Sequence, residues 1–131
     1  MAFKNTYVTR TQIKTAAGTD IVLYVPAPDI EGEFYLKAIN LMPQATSAAN
    51  ATNYATIAAL QGAVGIATSL TTATVAFTAG TERNFVMLTT AAAMAAREFG
   101  GSTDYVKLTV TAAGSGVLID IAASLEWEKL S

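Results

Sequence analysis

Apolar and polar residues alternate in short runs along most of this chain, and a period of two is the mark of strands with one covered face. Asp20-Ile21-Val22-Leu23-Tyr24-Val25 reads as a short strand, closed by Pro26-Ala27-Pro28 because neither proline donates to a ladder. From Glu33 to Met42, Phe34, Leu36 and Ala38 fall on one side and Tyr35, Lys37 and Ile39 on the other; Pro43 ends the run. Gln44 to Asn53 has no large apolar residue and is expected to be an exposed, mobile loop. Tyr54 to Leu60 reads as the next strand, with a turn at Gln61-Gly62. Between Val64 and Phe77, β-branched residues recur with Thr, as two short strands or one long bent strand.

Phe85-Val86-Met87-Leu88 is expected to be a buried strand within Arg83 to Thr89. Residues 90–99 carry the chain's one helix-favouring run, capped by Thr89 or Thr90 and terminated by Gly100-Gly101, with an irregular loop as the alternative. In the last third, Val106, Leu108 and Val110 alternate with Tyr105, Lys107 and Thr109. After a Gly-rich loop, Val117, Ile119, Ile121, Ala123, Leu125 and Trp127 share one face, and the two runs together read as a long hairpin. Residues 1–19 lack periodicity and read as an extended arm or an edge strand, which divides the chain into an N-terminal arm at 1–19 and a domain at 20–131. Seven or eight strands at regular spacing predict an all-β fold, an antiparallel β-sandwich with at most one short helix near 90–99.

Composition removes most enzyme chemistry. The chain has 131 residues, no His and no Cys. The commonest general base, the commonest metal ligand and thiolate chemistry are thereby absent. A net charge of −2 with only 14% charged residues argues against a nucleic-acid partner, which requires a basic face. No apolar run reaches the length of a membrane span, and Met1 to Tyr7 contains no apolar segment of the secretory kind, so a soluble protein made in a cytoplasm is expected. Low charge and abundant Ala and Thr suit a subunit packed against neighbours, or simply Thr on exposed strand faces.

The remaining candidates for chemistry are weak. Gly114-Ser115-Gly116 has turn composition and no base nearby in sequence. Asp29, Glu31 and Glu33 cluster on a turn, and Glu126 and Glu128 share the outer face of the last strand, where they would guard an edge. Asp120 lies on that face too, with Lys107 or Arg97 as conceivable partners. No catalytic, metal or cofactor residue is assigned, and no cofactor is implied. Phe3 and Tyr7 differ from the other aromatic residues because they lie in the polar segment 1–19 among Lys4, Arg10 and Lys14. Phe3, Tyr7 and Arg10 are therefore the candidate partner contacts, aromatic anchors with a cation for an acidic surface.

Arg97-Glu98-Phe99-Gly100-Gly101-Ser102-Thr103-Asp104-Tyr105 and the alternating run to Thr111 resemble the penultimate strand of small jelly-roll decoration (cement) proteins of tailed bacteriophages. Val117 to Glu128 resembles their final strand, and the likeness extends over most of residues 20–128. The resemblance implies a jelly-roll-like, non-enzymatic virion structural protein on the capsid surface. It would decorate or stabilise a bacteriophage capsid through the major capsid protein, as a homo-oligomer and specifically a homotrimer, with no nucleic acid and no membrane as partner. The competing function is a receptor- or carbohydrate-binding β-sandwich module of a phage tail or fibre.

Overall fold

The computed structural model describes residues 6–100 and 105–130. The long strands are β1 (Thr6–Thr15), β2 (Ile21–Pro26), β3 (Glu33–Pro43), β4 (Tyr54–Gln61), β11 (Tyr105–Ala113) and β12 (Ile119–Lys129). Between them lie the two-residue strands β5 (Val64–Gly65), β6 (Ala67–Thr68), β7 (Leu70–Thr71), β8 (Arg83–Asn84) and β9 (Val86–Met87). The helix α1 (Ala91–Ala96) and the short β10 (Glu98–Gly100) follow β9.

Two antiparallel sheets face each other. The first runs β1-β12-β3-β10 with β8 also on β3; the second runs β2-β11-β4-β5 with β7 also on β4. β1 to β4 alternate between the two sheets, as do β10 to β12, which with these strand orders is a jelly-roll arrangement, and the all-β sandwich expected from the sequence is the observed fold. Ile13, Phe34, Leu36, Ile39, Leu41, Ile121, Leu125 and Trp127 from the first sheet meet Val25, Ile57, Val106, Leu108 and Val110 from the second in one core. Phe99 stacks edge-on against Trp127 at 5.1 Å, and the Trp127 indole N–H donates to the Thr9 hydroxyl.

Residues 6–15, which the sequence leaves open between an arm and an edge strand, form the edge strand β1. It pairs with β12 from Thr6↔Glu128 to Thr15↔Ile119 and places Ile13 in the core with no exposure.

Several local expectations change. The last two long strands are not a hairpin: β11 pairs with β2 and β4, whereas β12 pairs with β1 and β3. One-sided alternation fits two strands facing each other across a core as well as two strands side by side, so periodicity alone does not separate these cases. The crossing at the sandwich end needs glycine. Gly116 has φ +66°, and a Cβ there would clash with the Gly18 backbone nitrogen, because the β1–β2 crossing passes directly against the β11–β12 crossing.

In β3 the alternation slips. The register shifts between Glu126 and Trp127 of β12, so Lys37 is an extra residue, and the buried set becomes Phe34, Leu36, Ile39 and Leu41. Ala38 and Ile39 therefore exchange the faces that strict alternation gives them. The Val64–Phe77 region holds three two-residue strands rather than one or two longer ones, and Phe85 is buried between β8 and β9 while Val86 is exposed. Loop 44–53 is built inward at one point: Ser47 is buried, bridges Phe77 and donates its hydroxyl to the Leu118 carbonyl.

The helix is shorter than its composition suggests. The Thr90 hydroxyl accepts from the Ala93 N–H, and the helix ends at Arg97, from which the chain re-enters a sheet as β10. Arg97 explains the early stop. Its Leu36 and Lys37 partners lie on the edge of β3 between the stretches covered by β10 and β8, and its guanidinium fills that gap.

Candidate interaction surface

The polar groups buried in this fold are occupied by the fold itself. Arg97, 6% exposed, donates from Nε to the Leu36 carbonyl at 2.9 Å and from its two terminal nitrogens to Leu88 and Lys37 at 3.2 Å each, and it stacks over Tyr35. Arg83 does similar work, donating to the Thr71 and Val75 carbonyls over the Phe77 ring. Burial holds the Arg83 guanidinium below its ordinary pKa. Among the described residues, no buried side-chain nitrogen or oxygen lacks a hydrogen-bond partner.

The carboxylates are dispersed. Asp120 accepts from the Gln12 amide at 2.9 Å rather than from Lys107 or Arg97, and Asp20 accepts from the Ala112 N–H. Glu126 and Glu128 sit on β12, an interior strand between β1 and β3, so edge protection is not their role. Among the described residues, no group of three or more His, Cys, Asp or Glu comes together. A recess between β3 and β10, bordered by Glu33, Glu98, Phe99 and Gly100, is about 130 Å³. That is below the roughly 300 Å³ at which small-molecule pockets begin.

The candidate contacts named from sequence separate in space. Phe3, with Lys4, lies outside the described residues, as does the turn 101–104. The Tyr7 ring lies edge-on against Phe34 of its own sheet at 5.7 Å and is half-buried. Arg10 is exposed on the opposite side of β1, across from Ser124. Tyr7 thus meets its own chain, and Arg10 belongs to a different surface.

That surface is the outer face of the first sheet, where Arg10, Gln12 and Lys14 stand beside Asp120, Ser124, Glu126 and Glu128. It carries charges of both signs, with Val8 and Met42 as exposed apolar residues among them. The outer face of the second sheet is its opposite. Its three long strands present Val22, Tyr24 and Pro26; Tyr105, Lys107, Thr109, Thr111 and Ala113; and Tyr54, Thr56, Ala58 and Leu60. Lys107 is the one charge in that set. Tyr24 is 65% exposed, Val22 51% and Tyr105 46%, and the two tyrosine rings meet edge-on at 6.4 Å.

Tyr24 and Tyr105 lie within alternating strand patterns, where cross-strand packing is expected, and they do meet across β2 and β11; the pattern alone does not single out the face on which they stand. The signal was present in β2, where Ile21, Leu23 and Val25 alternate with Val22 and Tyr24, so that the strand is apolar on both sides. A strand of that kind wants cover on both faces.

No family model matches the chain, and no curated protein matches it. Three chains among the solved structures match. One is from the Bacillus endospore appendages, described as a novel family of disulfide-linked pili. It is 15% identical, with 99% of this chain and 93% of that chain covered and a TM-score of 0.44.

Proposed function

We propose that this chain is a non-enzymatic structural protein that acts through its sheet faces, decorating or stabilising a bacteriophage capsid by contact with the major capsid protein. The observation that supports a packing role is the open outer face of the second sheet, apolar and aromatic where a solitary domain would carry charge. Folding accounts for Arg83, Arg97, Ser47 and the buried threonines, but it gives no reason for Val22, Tyr24 and Tyr105 to stand in water. Aromatic residues with a polar tip are the side chains that protein interfaces favour. A two-layer sandwich is also stiff, so its faces arrive already formed and little ordering entropy is lost on docking.

The capsid setting comes from the resemblance of residues 97–111 and 117–128 to phage decoration proteins. Cryo-electron microscopy of intact particles from the phage that carries this gene tests it. The expected result is density matching the sandwich, repeated over the outer shell. Density at the tail tip alone, or a protein absent from purified particles, refutes the proposal.

A further inference from the structure

We infer that the outer face of the second sheet is covered by the same face of a second copy of this chain, related by a two-fold axis that runs across the strands through Val22, Thr109 and Ala58. The inference rests on the packing role proposed above and names the partner of that surface.

The face is graded in size along its strands, and the grading is self-complementary. Thr109 is aligned with Val22 on one side and Ala58 on the other, which makes that row the middle of the face. Toward one end lie Tyr24, Lys107 and Leu60 in one row and Tyr105 beyond them. Toward the other lie Thr111 and Thr56 in one row and Ala113 beyond them.

A two-fold axis in the interface and perpendicular to the strands lays β11 over β11 with reversed direction, and likewise β2 over β2 and β4 over β4. Tyr105 then falls opposite Ala113, Lys107 opposite Thr111, and Leu60 opposite Thr56, so large meets small in each pair. Tyr24 falls opposite Asp20, whose carboxylate already accepts from the Ala112 N–H at the small end. Tyr54, the bulky residue at that end, falls opposite the Gly62 turn. An axis parallel to the strands and over β11 would instead set the two Lys107 ammonium groups against each other.

Area and charge point the same way. Three strands about 4.8 Å apart and about 25 Å long make a footprint of about 400 Å². With side-chain relief, two such faces remove about 1,200 Å² from water, at the threshold of a stable specific interface. A heterologous partner would be selected by charge complementarity, and this face offers one cation to read. A copy brings no like charge into register and places Asp20 beside Lys107 of its mate.

The absence of cysteine from the chain makes a direct test available. Full-length protein at micromolar concentration should sediment at twice the 13.6 kDa chain mass. Thr109→Cys, on the axis, should cross-link to a covalent dimer with a bis-maleimide spanning about 10 Å, the separation of stacked sheets. Ser124→Cys, on the outer face of the other sheet, should not. Tyr24→Lys combined with Tyr105→Lys, at exposed positions, should raise the dimer dissociation constant at least 100-fold while leaving circular dichroism and the melting midpoint of the monomer intact.

A monomeric or trimeric mass overturns the inference, as does equal cross-linking of the Thr109→Cys and Ser124→Cys variants, or a dimer indifferent to the double lysine variant. Binding of the unmodified protein and of Tyr24→Lys to undecorated capsids separates this inference from the functional proposal. A monomer that binds shells and loses binding on Tyr24→Lys assigns the face to the capsid protein, which overturns pairing and keeps the function. A dimer that binds no shell keeps the pairing and removes the function.

Discussion

Replacing Arg97 with Met removes the guanidinium while keeping a flexible apolar stem of similar reach. Three main-chain carbonyls, those of Leu36, Lys37 and Leu88, lose their donor. The Leu36 bond is buried, and the other two are partly buried and can be re-solvated. A bond from a charged donor contributes about 1.5–3 kcal/mol, and a stranded buried acceptor costs about 1–3 kcal/mol. Counting the Leu36 bond in full and the others at a fraction gives a loss of about 4 kcal/mol. For a chain of this size that corresponds to a fall in melting midpoint of about 12–15 °C. Urea unfolding followed by tryptophan fluorescence reads the change directly, because Trp127 is buried beside Phe99 of β10. The midpoint should drop with an unchanged slope, since the surface exposed on unfolding is the same. Arg97→Lys should recover only about a third of the loss, because an ammonium lacks the planar fork that reaches three carbonyls at once. A loss below about 1 kcal/mol for Arg97→Met, or full rescue by Lys, would refute the claim that this side chain closes the open edge of β3.

Ile13→Ala should destabilise the protein by about 3 kcal/mol in urea unfolding, because Ile13 is wholly buried and β1 is part of the sandwich rather than a detachable arm. For the same reason, deletion of residues 2–14 should leave little cooperative unfolding, as it strips a neighbour from the whole length of β12. Gly116→Ala should cost well over 2 kcal/mol and Gly62→Ala about 1 kcal/mol in melting experiments: both have positive φ, but only the Cβ at 116 runs into the Gly18 backbone.

The sequence made the long strands legible because each carries a one-sided apolar pattern strong enough to survive local noise. β2, β3, β4 and β12 fall within a few residues of their expected bounds, as does the helix N-cap at Thr90. What it concealed was pairing. Val106 to Val110 and Ile119 to Trp127 look like adjacent strands, yet they belong to different sheets, and the close approach of Gly116 to the Gly18 backbone marks the crossing. The slip at Lys37 was invisible for a related reason. A bulge costs one residue of register, and its stabiliser, Arg97, lies 60 positions downstream. The open face was missed because Tyr24 and Tyr105 have the composition of core residues. Whether a two-sided apolar strand is covered by its own chain depends on what the remaining segments have already been used for.

The proposed decoration of a shell is tested most directly by adding the purified chain to capsids assembled without it, from a phage whose genome encodes it, and measuring co-sedimentation. The account predicts saturable binding in a fixed ratio to the major capsid protein, with shells that then resist heat or dilution better than bare ones. Bare shells that neither bind the protein nor gain stability, while particles assembled without the chain infect normally, would contradict it.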